Sequence, residues 1–336
     1  MKLKKLLPLS FIFLVITSCD SGIKVSKQKA NKAVFAAKEK SQFHNFDSVN
    51  FTYIGEVLRG KVVYNLDKTT ESEVSHFSLD VKAIATDIGS DDLKMAVNYI
   101  HYEPSEDDEN VFEPLYKRDN YYTEEWFYTK KESIPPPTNA GVSDKLNKKL
   151  KCKMGKLPAT DVLYFFNNYY GSLLIERVPR GIAEYPGFLS IVNNVEARKT
   201  KDKLVVTYTM SKEELAFFLK VSFGKNIDEM TSEEIEWYKT HPWYSENIER
   251  ALNGLNITSH TTTIEINKDG LISRVTNDIN YTVTYYETTH SVIEKTTRHY
   301  KFKNEANFVF NSKTTITFPE FIDYLDLTNM YYPENM

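Results

Sequence analysis

Residues Thr261–Tyr286 read TTTIEINKDGLISRVTNDINYTVTYY, and this stretch decides the fold. A run rich in β-branched residues, Thr261 to Ile266, leads into Asn267-Lys268-Asp269-Gly270, and Leu271 to Tyr286 leads away from it. The Asp-Gly pair tolerates the positive φ that tight hairpin turns require. In the second arm Leu271, Val275, Ile279, Tyr281, Val283 and Tyr285 share one face of a strand, while Arg274, Thr276, Asp278, Asn280 and Thr282 share the other. One face is therefore buried or binds something and the other is wet, which is the pattern of an antiparallel sheet.

The same period of two recurs outward from this hairpin. Val49, Phe51, Tyr53 and Val57 alternate with polar neighbours, as do Phe77, Leu79, Val81, Ala83 and Ala85. Leu93, Met95, Val97 and Tyr99 follow the turn-like Gly89-Ser90-Asp91-Asp92, and Leu204, Val206, Tyr208 and Met210 line a later strand. Further strands are expected at Tyr121 to Lys130, Val292 to Phe302 and Ser312 to Phe318. Glu106-Asp107-Asp108-Glu109 and Pro135-Pro136-Pro137 read as loops, and residues 142–192 as mixed helix and loop with an apolar aromatic segment at Val162 to Tyr170. Helical signals are fewer. Ala33, Val34, Ala36 and Ala37 put a modest apolar stripe on Asn31 to Ser41. Ser211 to Glu214 and Thr231 to Glu234 are capping boxes, in which hydroxyl and carboxylate each satisfy an orphan amide. A third helix from about Tyr244 to Asn253 would end at Gly254. The fold class expected is α+β, an antiparallel sheet accompanied by helices.

At the N-terminus Lys2, Lys4 and Lys5 precede an apolar run from Leu6 to Ile16, then Thr17, Ser18 and Cys19. That is the three-part plan of an export signal, with an apolar run too short to span the roughly 30 Å of a bilayer core. Ile16-Thr17-Ser18-Cys19 resembles the lipobox of bacterial lipoproteins, although Leu is more usual where Ile16 stands. The resemblance implies cleavage before Cys19, acylation of that cysteine and a place on the extracytoplasmic face of a bacterial membrane. Residues 1–18 would be the signal, 19–29 a lipidated tether with Lys24, Lys27 and Lys29, and 30–336 one mixed domain. Losing the first 18 residues, three lysines among them, takes the formal charge from −4 to −7. An acidic body lacks the clustered positive charge that nucleic-acid binding needs.

The order of elements from tether to hairpin resembles the LolA/LppX-type lipoprotein carriers over roughly residues 30–320, as pattern alone. That resemblance implies an open half-barrel whose concave apolar face is covered by helices and holds lipid or acyl chains. Phe51, Tyr53, Tyr281, Val283 and Tyr285 would then be candidates to line the concavity, the alternative for each being a place in ordinary core. The region around 103–160 is in excess of the smaller members, as an enlarged insertion or a second subdomain.

Catalytic signals are thin. There is no G-x-S-x-G elbow, no H-E-x-x-H pair and no glycine-rich phosphate loop. His44, His76, His101, His241, His260, His290 and His299 lack ligand spacing, and the acidic run at 106–109 lacks the glycine and alternating oxygens of a calcium loop. The expectation is neither an enzyme nor a protein with a metal or other cofactor. Cys152, the one cysteine besides Cys19, reads as a spectator rather than a reactive thiol. The 22 tyrosines, 20 phenylalanines and 3 tryptophans suit either strands or a binding surface. Two functions follow: a carrier of a hydrophobic ligand, or a surface protein that binds another protein or a glycan through a patch formed by Tyr121, Tyr122, Trp126 and Tyr128.

Overall fold

Alternation in the sequence becomes one curved, unclosed sheet in the computed structural model, which describes residues 22–64, 70–88, 90, 92–108, 111–123, 125–134, 148–153, 192–222, 254–289 and 292–326. The lipobox with Cys19, Pro135-Pro136-Pro137, Val162 to Tyr170, the Thr231 to Glu234 box and the helix from Tyr244 lie outside those residues. In chain order the strands are β1 (Ile23–Lys24), β2 (Ser48–Tyr64), β3 (Thr70–Thr86), β4 (Lys94–Pro104), β5 (Phe112–Tyr122), β6 (Trp126–Ser133), β7 (Lys148–Lys153), β8 (Asn194–Lys199), β9 (Lys203–Thr209), β10 (Leu255–Asn267), β11 (Ile272–Thr289), β12 (Val292–Phe310) and β13 (Leu325–Asp326). They lie in the order β1-β8-β9-β10-β11-β12-β2-β3-β4-β5-β6-β7-β13. Every pairing is antiparallel except β13 on β7. Two-residue strands stand at both edges, and such short edges leave little template for another chain to pair with.

The buried face carries Val49, Phe51, Tyr53 and Val57 of β2, Val81, Ala83 and Ala85 of β3, Met95, Val97 and Tyr99 of β4, and Val275, Ile279 and Val283 of β11. The opposite face is laced with ion pairs, most of them cross-strand. Arg274 bridges Glu265 and Glu305, Lys301 meets Glu56, and Glu132 sits between Lys117 and Lys130. Among the described residues two α-helices accompany the sheet. Helix α1 (Lys27–Lys40) begins a turn earlier than its Ala-rich stripe suggests and buries Ala30, Val34 and Ala37, an i, i+4, i+7 set, chiefly against β8, β10 and β11. Helix α2 (Lys212–Ser222) packs on β10. It starts at the expected capping box, where the Ser211 amide donates to Glu214 Oε2 (2.9 Å) and the Glu214 amide to Ser211 Oγ (3.2 Å).

The deciding hairpin forms as expected, with one refinement. Gly270 alone takes a positive φ, 76°. Asn267 Oδ1 accepts from the amides of Asp269 and Leu271, both at 3.0 Å. A register irregularity after Glu265 then reverses the alternation, so that Ile272, not Leu271, is fully buried. Its amide, displaced from the ladder, donates to Ser41 Oγ at the end of α1 (2.8 Å), and Lys40 reaches the Asp269 carbonyl.

Three expected strand boundaries are corrected. The stretch Tyr121 to Lys130 is not one strand but the end of β5, a turn and most of β6, with the Thr123 amide bonded to the Trp126 carbonyl (2.9 Å). The aromatic residues on both sides of Thr123-Glu124-Glu125 concealed the turn. The last long strand does not stop at Phe302 but runs to Phe310, because the polar positions Asn304 and Glu305 have partners within the sheet. Residues 312–318 form no strand. They are an extended arm beyond Asn311, itself at φ 52°, held on the ion-paired face when Asn50 donates to Ser312 Oγ (2.9 Å) and Thr314 Oγ1 (2.8 Å). Within 142–192, Lys148–Lys153 is β7, a strand too short and too basic to show its period. Together β5, β6 and β7 set part of the 103–160 region into the same sheet.

Candidate functional site

Register places four strands so that Thr262 of β10, Asn277 of β11, Asn304 of β12 and Gly55 of β2 stand in one row across the buried face. Thr262 Oγ1 donates to Asn277 Oδ1 (2.6 Å), Asn277 Nδ2 donates to Asn304 Oδ1 (3.0 Å), and the Asn304 side chain bonds the Tyr53 hydroxyl. The Tyr53 ring leans over Gly55, where an added Cβ would stand 2.5 Å from the hydroxyl and 2.7 Å from Asn304 Cβ. Burial pushes the Tyr53 hydroxyl above its ordinary pKa, with Asn304 partly offsetting it.

The row continues through Leu79 of β3 and His101 of β4 to Tyr116 of β5. Here the face becomes half-buried and aromatic. His101 stacks between Phe77 (centroids 5.3 Å apart, 21° between planes) and Tyr116 (4.8 Å, 6°). Lys131 Nζ lies 3.9 Å from the Tyr116 ring centroid, within cation–π range. In the adjacent row Arg118 of β5 faces Lys131 of β6, which faces Lys148 of β7. Arg118 Nε donates to Thr129 Oγ1 at 2.8 Å. Burial, then Arg118 and Lys148, lower the Lys131 pKa against the pull of Glu103. Burial likewise holds His101 below its ordinary value, Glu103 again opposing. Tyr116 is pushed upward by burial and by its hydrogen-bonded neighbour Tyr99.

From Tyr116 a diagonal of half-buried apolar and aromatic side chains crosses the sheet through His101, Leu79, Phe77 and Phe302 to Tyr300 and Tyr281. Tyr281 and Tyr300 stack at 4.9 Å and 19°.

Four of the five lining candidates thus share a face but divide between two ends. Phe51 and Tyr53 are core, 5% and 8% exposed, with Phe51 stacked on Phe308. Beside Phe51 the free space bounded by Phe43, Val49, Ala83, Ala85 and Met95 is ≈ 10 Å³, room for one water molecule at most. Tyr281 aligns through Tyr300 with Arg59, six residues along β2 from Tyr53, or roughly 20 Å. Val283 is buried beyond it, and Tyr285 pairs with Thr296 through its backbone, its side chain lying outside the described residues. His101, Tyr116, Arg118, Lys131, Asn277 and Asn304 were not anticipated. A period-two reading of Tyr116, Arg118, Asn120 and Tyr122 would have exposed two of them, Tyr116 and Arg118.

The tyrosine and tryptophan patch of the second reading does not form. Tyr122 is on the buried face, 2% exposed, against Phe127. Tyr121 and Tyr128 lie on the other face beneath the chain's own C-terminal arm, where Phe321 stacks flat on Tyr128 and Phe318 edges onto Tyr121. Tyr324 completes the cover. Cys152 is buried beside Phe127 in the register of β6 and β7, and burial raises its thiol pKa. Among the described residues no three His, Cys, Asp or Glu side chains group as metal ligands would.

No family model matches the chain, and no curated protein matches it. Among solved structures, a DUF1329 family protein from Desulfovibrio piger is similar over 87% of this chain and 96% of its own, at 8% identity and a TM-score of 0.19. A monomeric dehydratase domain from a trans AT polyketide synthase split module is similar over 76% and 81%, at 5% identity and a TM-score of 0.11. Likeness at this level carries no argument for fold or for function.

Proposed function

We propose that the chain is a lipoprotein, anchored through acylated Cys19 to the extracytoplasmic face of a bacterial membrane, that carries a hydrophobic ligand such as a lipid or acyl chain between its curved sheet and covering helices, in the manner of LolA/LppX-type carriers. It performs no catalysis and uses no cofactor in this reading. The observation that carries it is the half-buried diagonal from Tyr116 to Tyr281 on an unclosed sheet whose reverse face is ion-paired. A closed barrel of small size fills its interior with its own side chains, whereas an open sheet leaves part of its inner face to be covered by something else. Phe51 and Tyr53 belong to the packed end, so the ligand lies toward Tyr281, Val283 and Tyr285. The competing surface-binding reading loses the patch it relied on, since Tyr121 and Tyr128 are already covered.

The test is mass spectrometry of organic extracts from the purified chain carrying Cys19→Ala, which separates bound lipid from covalent acyl groups. A stoichiometric lipid is expected; none above the level of an unrelated soluble control refutes carriage. In parallel, radiolabelled fatty acid should enter the wild-type chain and not the variant, and failure to label refutes the anchor.

A further inference from the structure

We propose that Arg118, Lys131 and Lys148 form a subsite for the anionic headgroup, carboxylate or phosphate, of the ligand whose tail lies along the Phe77–Tyr281 diagonal. For the tail this rests on the carrier reading; the anion subsite stands on its own geometry. Directly opposed residues on adjacent strands put their Cβ atoms about 5 Å apart, and like charges so placed repel. On the reverse face such cations are offset by acids: Glu132 sits between Lys117 and Lys130, Lys149 opposite Lys130 meets Asp323, and Glu265 and Glu305 flank Arg274. On the inner face it does the opposite, with three cations in succession on β5, β6 and β7. Among the described residues neither Lys131 nor Lys148 makes an ion pair; Glu103, the carboxylate that acts on Lys131, lies 3.4 Å from His101.

The surroundings suit an anion with an apolar tail. Arg118 is oriented by Thr129, and the Tyr116 ring, stacked on His101, holds the Lys131 ammonium over its face. Tyr99 and Tyr116 add hydroxyl groups on the same side, one row and two rows from the apolar Val97. An oxyanion over this row gains charge-assisted bonds from up to three cations and relieves their mutual repulsion. The tail then has half-buried Leu79, Phe77 and Phe302 to lie upon.

The experiment uses the full chain in native membranes and two photoactivatable probes of equal length, a diazirine fatty acid and the corresponding fatty alcohol, with labelled peptides mapped by mass spectrometry. The acid is expected to label β3 to β5 about tenfold more strongly than the alcohol, a ratio set by the strength of a charged hydrogen bond. Lys131→Gln and Lys148→Gln should each abolish that preference, while Lys131→Arg retains it. Lys148 is exposed near the sheet edge, so its variant reads charge without endangering the fold. Equal labelling by both probes, unchanged in the variants, overturns the subsite and leaves the carrier reading intact. If neither probe labels the chain, the carrier reading fails and inorganic phosphate decides the rest. Line broadening of the phosphate 31P signal by the wild type, lost in Lys131→Gln, upholds an anion site for free phosphate; no broadening overturns it.

Discussion

Replacing Asn277 with alanine tests whether the polar row inside the sheet acts as a connected unit. Asn277 is 4% exposed and Asn304 8% exposed, so neither can turn to bulk water when its partner is lost. Alanine removes the amide that donates to Asn304 Oδ1 and the carbonyl that accepts from Thr262. Thr262 is half-buried and can rehydrate, but Asn304 Oδ1 loses its donor at a cost of about 1–3 kcal/mol. The vacated volume adds about 1 kcal/mol, for a total destabilisation of about 2–4 kcal/mol. Urea unfolding of the full chain, followed by tryptophan fluorescence, measures this directly. The double variant with Asn304→Ala should be less destabilised than the sum of the singles by about 0.5–3 kcal/mol, since one bond cannot be lost twice. Asn277→Leu with Asn304→Leu should restore much of the loss, both polar groups having gone together. A single variant within about 0.5 kcal/mol of wild type, or strictly additive effects, refutes the connected row.

Three further outcomes follow from the same structure. Gly55→Ala should destabilise by about 1–3 kcal/mol, because its Cβ meets the Tyr53 hydroxyl at 2.5 Å, and combining it with Tyr53→Leu should recover part of the loss in thermal melts. Ser211→Ala should cost about 1 kcal/mol through the capping box, and Ser211→Asp much less; equal melting of both variants would argue against the cap. Burial lowers the pKa of His101, so the fold favours neutral imidazole. Its contribution is complete above the ordinary value of 6.5 and is lost as pH falls through the lowered one. Melts taken from neutral pH to about pH 5 should show a decline that His101→Phe diminishes, and an unaltered slope in that variant would count against the assignment.

Much of the local structure was legible in the residues. Alternation in Val49–Val57, Phe77–Ala85 and Leu93–Tyr99 identified β2, β3 and β4 and their buried faces, because a pleated strand turns side chains to opposite sides at every residue. Asn267 to Gly270 and Ser211 to Glu214 announced a turn and a helix start, since each satisfies its backbone from within four residues. Register was beyond reach. That Arg118, Lys131 and Lys148 stand abreast depends on three strands meeting in one alignment, fixed jointly by turn geometry and by which apolar rows bury together. Asn277 and Asn304 looked like interruptions of a strand because each needs the other, 27 residues away, to be tolerable inside. The arm over Tyr121 and Tyr128 is likewise a long-range contact that no local pattern encodes. Local hydrogen bonding and side-chain period are written residue by residue; which rows align, and what covers them, is settled when the whole sheet buries its apolar face at once.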